Sequence, residues 1–435
     1  MISAGEVVLG FTLMIGAMFV GLHVAVAIMG ACVLGALVYL GPALLMSYGT
    51  QLWSTMNSFL LTAIPLFVLL GEILLRSGIT GRMYDGLSGW LGRLPGGLLH
   101  TNIAASGVFS AVSGSSVATA ATIGTVALPA LRERAYSERL VLGSIAAGGT
   151  LGILIPPSIN LIVYGALANA SIGQLFAAGI LPGVLLVGLF LLTIAALCAW
   201  RPAFAGTAPA EQRRSQLAGI ASLAPPLAIF LAVMGSIYGG WATPTEAAAV
   251  GVVMALAFAA ANRTLKIAML HAAFAATVRT TAMILLIITS AFFLNFVIGV
   301  MGVPRALTQF VASLGTSPEV FVWLMVPFYL LLGCFLETMA MMVATVPIIV
   351  PLLLHLGIDP VWFGIFLVLM MELSLITPPV GLNLYVVQGV RGRGPVSDVF
   401  IGVMPFIATL MVMVVLVILF PRIVTVVPDL LYGRP

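Results

Sequence analysis

Long apolar runs broken by short polar loops dominate this chain from end to end. Apolar segments fall at about 7–21, 24–40, 51–75, 98–130, 138–168, 175–199, 217–239, 245–261, 276–301, 320–353, 362–388 and 397–420. Most are near the roughly 20 residues that a helix needs to cross a bilayer core. The positions between them are rich in Gly, Pro and Arg. The pattern predicts an all-α polytopic membrane protein. The first run begins at Val7, after the single acidic Glu6 and with no basic stretch before it. It therefore reads as a first spanning helix of the mature protein and not as a cleaved signal peptide.

Two of the segments are too long for one crossing and too short for two. Arg76, Arg82 and Arg93 precede the 98–130 segment, and Arg132, Arg134 and Arg139 follow it. Positive loops stay in the cytoplasm, so this segment should enter and leave on one side. Two full crossings need about 40 residues, and only about 32 are present. Its middle, Ser113-Gly114-Ser115-Ser116, is too polar to face lipid. A re-entrant helical hairpin with its tip near the membrane centre satisfies both constraints. The 320–353 segment has a similar length and a polar middle, Gly333 to Thr338, but its flanks carry Glu319, His355 and Asp359. It reads as a hairpin entering from outside. Counting crossings puts Arg201, Arg213, Arg214, Arg263, Lys266, Arg391 and Arg393 inside and both termini outside. Arg422 and Arg434 then conflict with the rule, offset in part by Asp429.

The hairpins belong to two related halves. The stretch Thr150 to Gly165, with Pro156-Pro157 and Asn160, resembles Leu373 to Tyr385, with Pro378-Pro379 and Asn383. Aligning the Pro-Pro pairs gives an offset of 222 residues. At that offset Pro129 falls on Pro351, and Ser115 and Ser116 fall on Glu337 and Thr338. The expected organisation is a first inverted repeat over 1–200, with hairpin 98–130 and broken helix 138–168. A cytoplasmic linker follows over 201–216. The second repeat covers 217–435, with hairpin 320–353 and broken helix 362–388. A Pro-Pro pair in one membrane helix is ordinarily only a kink. Two at matching places, each just after a polar-tipped hairpin, point to the midplane site of a secondary transporter.

Composition narrows the function further. Only 7% of residues are charged and the mean hydropathy is +1.22, which excludes an ordinary soluble domain. The net charge of +4 comes from arginines at loop positions, since Lys266 is the lone lysine. That is a topology signal and gives no nucleic-acid surface. Cys32, Cys198 and Cys334 are far apart, as are His23, His100, His271 and His355, so neither a disulfide framework nor a metal centre is implied. No phosphate-binding Gly-rich motif with a lysine occurs, which excludes ATP hydrolysis by this chain. The chain reads as a transporter and not an enzyme, with no cofactor and an ion gradient as its drive.

A helix broken at the midplane exposes carbonyls on one side and amides on the other. The carbonyl ends suit a dehydrated cation, the amide ends a carboxylate. The expectation is one sodium site at Ser113, Gly114, Gly149, Gly152 and Pro156, partly through backbone carbonyls. A second is expected at Gly333, Glu337, Thr377, Pro378 and Gly381. Gly148 is read with Gly149 and Gly152 as allowing close backbone approach. Substrate is expected between the two sites, touching Ser115, Ser116, Asn160, Thr338 and Asn383. Glu337 and Glu372 lie at membrane depth, where a carboxylate is costly and a functional candidate. For Glu372, capping or pairing stands level with a functional role. Glu72 and Glu246 lie near helix ends, and Thr243-Pro244-Thr245-Glu246 has the form of a helix start.

At these motifs the chain resembles the large membrane subunit of the tripartite ATP-independent periplasmic (TRAP) transporters of the C4-dicarboxylate type. The matching stretches are Ser113 to Ala120, Gly152 to Ser158, Tyr164-Gly165, Pro244 to Gly251 and Thr377 to Leu384. The family often has Asp at the outer tip, where this chain has Glu337, and no small subunit is fused to it. The resemblance implies a sodium-driven importer of organic acids in the bacterial inner membrane, working as an elevator. It also implies two partners: a small four-helix membrane subunit and a periplasmic substrate-binding protein. A self-sufficient ion-coupled carboxylate symporter is the alternative reading.

Overall fold

A computed structural model of the chain describes residues 4–39, 41, 43–92, 94–132, 136–206, 216–313 and 315–433. Arg93, Arg134, Arg213, Arg214, Arg434 and most of the 201–216 linker lie outside the described residues. Among the described residues every regular element is helical. Six helices are long and apolar enough to cross a membrane, or seven if the bent pair Val303–Ser313 and Pro318–Gly333 forms one span.

Both long polar-centred segments fold as helical hairpins. The first comprises Leu98–Ser113 and Ser116–Arg132, the second Pro318–Gly333 and Thr338–His355. Each is followed by an interrupted helix. The first runs Glu138–Thr150, continues as a 3-10 turn through Leu151–Ile153 and restarts at Ile159–Ala168. The second runs Pro360–Ile376 and restarts at Leu382–Arg391. Proline lacks an amide donor and disfavours helical backbone in the residue before it, so the paired prolines stop both helices.

Element bounds recur at one spacing along the chain. Ser116 and Thr338 start helices 222 residues apart, as do Glu138 and Pro360. Near the same spacing Val24–Tyr39 is followed by Pro244–Ala261, Ile79–Leu91 by Val303–Ser313, and Ile172–Trp200 by Ser397–Leu419. One pair differs. Ile267–Met301 is continuous for 35 residues, whereas the matching stretch is divided into Ala43–Met56, a 3-10 turn Phe59–Thr62 and Ala63–Arg76. The single apolar run read at 51–75 is therefore two helices, parted at the polar Asn57-Ser58 pair. Three short helices that the apolar pattern missed, Ile79–Leu91, Val303–Ser313 and Arg422–Tyr432, are amphipathic, so no long apolar run betrays them.

The two interrupted helices lie head to tail. Tyr164, near the end of the first, donates its hydroxyl to the Pro360 carbonyl at the start of the second (2.6 Å). At the other end Arg391, the last residue of the second, pairs with Glu138 at the start of the first (3.0 Å). Arg391 also binds Asp398 (3.0 Å), which in turn holds Arg139 (2.9 Å). This ion-paired cluster joins both halves of the chain at one end of the core. Arg391 is only 6% exposed, so its charge is neutralised there by two carboxylates rather than by water. Tight helix crossings support the arrangement: a Cβ on Gly402 would lie 1.9 Å from the Arg139 carbonyl oxygen.

Among the remaining helices, Ile267–Met301 contacts Val24–Tyr39, Ala43–Met56 and Ala63–Arg76, while Ser397–Leu419 packs on Glu138–Thr150. Pro244–Ala261 starts as expected, with Thr243 and Glu246 forming a reciprocal capping box and proline at the first position. Glu72 pairs with Arg76 one turn on.

Candidate functional site

Each hairpin tip sits on the break of its own half. In the first half, Leu98–Ser113 ends at Gly114, whose φ of +60° is the left-handed conformation that glycine adopts without strain. A Cβ at Gly114 would lie 2.8 Å from the Pro157 carbonyl oxygen. The opposing contact comes from Gly152, where a Cβ would lie 2.6 Å from the Ser115 carbonyl carbon and 2.8 Å from the Ser116 amide nitrogen. Ser116 donates to the Thr150 carbonyl (3.2 Å), and Ser113 and Thr119 hydroxyls meet at 3.1 Å. Backbone thus approaches backbone at this contact.

The second half makes the same contact with the residue types exchanged. The glycine is on the tip, at Gly333, and the serine is on the break, at Ser374. Ser374 donates to the carbonyls of Gly333 (3.0 Å) and Leu336 (3.4 Å). The Cys334 thiol lies 3.8 Å from the Pro378 carbonyl oxygen, a long contact suited to sulfur. Ser374 was missed in the sequence. Its signal was available, since the 222-residue offset places it on Gly152.

The breaks are held by local hydrogen bonds. Ser158 donates to the Ile153 carbonyl (2.6 Å) and caps the restarting helix by accepting from the Leu161 amide. One hydroxyl thereby ties the two pieces together and satisfies groups that the interruption leaves unpaired. In the second break Thr377 donates to Leu373 (2.6 Å), and Tyr385 donates to the Pro379 carbonyl (3.0 Å). Gly381 caps the restarting helix with φ +30°. The first break is buried apart from half-buried Ile155, while Pro379 and Val380 of the second are exposed.

Of the residues expected at the two cation sites, Gly114, Gly152, Gly333 and Pro378 take part in these two contacts, while Gly148, Gly149 and Glu337 are placed otherwise. Gly148 packs against the first hairpin, where a Cβ would lie 2.5 Å from the Ser106 hydroxyl, so its role is helix packing. Gly149 faces Ala120 and Asn383 and stands off from its own tip. Glu337 caps Thr338–His355, accepting from the Ala340 amide at 2.8 Å. That bond occupies one carboxylate oxygen.

The expected substrate residues lie on the tips and restarting helices of both halves. Ser115 and Ser116 are on the first tip and Thr338 is on the second. Asn383, fully buried, crosses from the second half to the first, where its amide donates to the Ala146 carbonyl (3.3 Å). Its own carbonyl oxygen has no partner, and neither has the side-chain nitrogen of buried Asn160. Two unpaired amide groups beside the breaks give the core a donor and an acceptor for a polar guest. Among the described residues no cluster of three His, Cys, Asp or Glu exists that would hold a transition metal.

The sequence matches the family described as "Tripartite ATP-independent periplasmic transporter, DctM component" over residues 11–423. It is 35% identical to the C4-dicarboxylate TRAP transporter large permease protein DctM of Pseudomonas aeruginosa, covering 91% of this chain and 92% of that one. It is 33% identical to the sialic acid TRAP transporter large permease protein SiaM of Vibrio cholerae, covering 88% and 89%. The isethionate TRAP transporter permease protein DctMQ of Oleidesulfovibrio alaskensis is 32% identical, over 94% of this chain and 64% of that protein. In fold, the chain is similar to the YdaH transporter of Alcanivorax borkumensis, with a TM-score of 0.64 at 17% identity, covering 87% of this chain and 88% of that one. The sequence relatives are named as permeases, not enzymes. By the extent of these matches the chain belongs to the DctM component family of the tripartite ATP-independent periplasmic transporters.

Proposed function

We propose that the chain is the large permease subunit of a sodium-driven transporter that imports an organic acid handed over by a periplasmic binding protein. The observation that carries this reading is the seating of each hairpin tip on its own Pro-Pro break. Two such contacts, one in each half, bring carbonyls and hydroxyls together, with the Glu337 carboxyl beside the second, which is chemistry suited to a dehydrated monovalent cation. Sodium would be held by Ser113, Gly114, Gly152 and Pro156 in the first half and by Gly333, Glu337, Thr377, Pro378 and Gly381 in the second. The carboxylate of the substrate would be held by Ser115, Ser116 and Thr338, with Asn160 and Asn383 reading its polar groups.

The two halves are read as repeats of inverted topology in the bacterial inner membrane, with both termini periplasmic. The head-to-tail interrupted helices and the element spacing support the inversion. The clustering of Glu138, Arg139, Arg391 and Asp398 supports a common cytoplasmic end. The hairpins and interrupted helices would move as one body against other helices of the chain, as an elevator does. A small four-helix membrane subunit is the expected partner in the bilayer. The DctMQ relative extends well beyond the matched region, which suits a permease that works with a further membrane subunit. The substrate class follows the relatives, whose names give a C4-dicarboxylate, sialic acid and isethionate. All three are anionic.

Reconstitution tests this directly. Proteoliposomes holding the chain and its small subunit should take up labelled acid only with the binding protein outside and a sodium gradient directed inward. Uptake by the chain alone would transfer the case to a self-sufficient symporter. Equal uptake with potassium in place of sodium would end the sodium reading.

A further inference from the structure

Glu372 is the one buried carboxyl among the described residues. It lies one turn before the end of Pro360–Ile376, is 0% exposed, and neither oxygen has a hydrogen-bond partner. Other described carboxyls find help. Glu138 and Asp398 pair with arginines, while Glu246, Glu337 and Asp359 accept backbone amides.

Nothing on the helices packed against Pro360–Ile376 supplies a countercharge. Glu138, Arg139, Arg391 and Asp398 bind one another. Tyr164, Tyr329 and Tyr385 bond to Pro360, Thr345 and Pro379. Glu337 is taken up by its cap. Glu319, His355, Arg422, Asp429 and Tyr432 sit in terminal turns, and Cys198 is near the end of its helix. An ionised group held there would lose its hydration and receive nothing in return.

A neutral carboxyl fits where a charged one does not. Neutral O–H groups on these helices are accommodated by a carbonyl one turn back, as the Thr377 and Thr345 hydroxyls are by Leu373 and Met341. The 222-residue spacing puts Thr150 at the matching place in the first half, and Thr150 donates its hydroxyl to the Ala147 carbonyl. Both halves would then carry a neutral O–H donor at this point, but only the one in the second half can release a proton. Two residues on, Ser374 holds the second tip.

We propose that Glu372 is a proton-binding site of the core, filled in the packed state seen here. Its proton leaves to water only when the packing around this helix opens and solvent reaches the carboxyl. Charging Glu372 therefore opposes the packed state of the core.

Infrared difference spectroscopy of the full chain in lipid tests this without any transport assay. Wild type at neutral pH should show the carbonyl stretch of a neutral carboxylic acid that Glu372→Gln lacks. No lost band would overturn the proposal, as would a band that appears only when sodium is withdrawn, since the site would then belong to the cation. Glu372→Gln, a neutral isostere, should fold and unfold at the wild-type temperature, and failure to fold would also overturn it. In sodium-driven uptake, wild type should decline as pH rises through the carboxyl titration while Glu372→Gln stays flat. A parallel decline of both would count against the site.

Discussion

The two halves make one contact by opposite means. In the first, the break supplies glycine (Gly152) and the tip supplies serine (Ser115, Ser116). In the second, the tip supplies glycine (Gly333) and the break supplies serine (Ser374). Close approach of two backbones needs one side without a Cβ, and either side will do. The halves also differ in exposure: the first break is buried, whereas Pro379 and Val380 of the second are open, beside Phe335 and Glu337 of its tip. Among the described residues, carboxyls expected at this depth lie in the second half, at Glu337 and Glu372. Packing chemistry is shared, and exposure and charge are not.

The largest effect should come from removing the hydroxyls common to both tips. Ser115→Ala with Thr338→Ala should reduce sodium-driven uptake to background while leaving membrane insertion intact, as read by uptake and by size-exclusion behaviour. Retained uptake would break the claim that the tips act alike. Next comes the glycine of the first break. Gly152→Val would drive side-chain atoms into the Ser115–Ser116 backbone, and overpacking of this kind costs about 1–3 kcal/mol, measurable as a lower unfolding temperature.

The exchange of residue types gives a sharper test. Gly333→Ser should destabilise, because a Cβ there would lie 2.7 Å from that of Ser374. Adding Ser374→Gly should restore much of the loss by giving the second contact the arrangement of the first. Arg391→Met should cost about 1.5–3 kcal/mol, the range for hydrogen bonds to charged groups. The cost stays moderate because Glu138 is partly open to water. The smallest effect concerns Cys334, half-buried at the second tip, while Cys32 and Cys198 are buried. A membrane-impermeant thiol reagent should modify Cys334 first, and sodium should slow the reaction.

Much of this was legible in the sequence because glycine, proline and arginine carry strong local meaning. The Pro-Pro pairs gave both breaks, the arginine clusters gave the first hairpin, and a single offset joined the halves. Amphipathic helices such as Arg422–Tyr432 escaped because their apolar positions are spaced and not continuous. The crossing of Asn383 into the first half was also hidden. Its position beside Pro378-Pro379 pointed to substrate contact, and only the head-to-tail packing of the interrupted helices brings it to Ala146 and Gly149. Ser374 shows a further limit, since a serine in an apolar helix is unremarkable until its partner glycine is known.

The central claim is that tip and break together form a sodium site in each half. Thermal unfolding of the purified chain, in sodium against potassium at equal ionic strength, tests it most directly, since a ligand bound only by the folded state raises its stability. Sodium should raise the unfolding temperature of wild type, and Ser113→Ala with Thr377→Ala should remove most of that rise. Equal unfolding temperatures in the two salts, or a sodium effect untouched by the double substitution, would contradict the account.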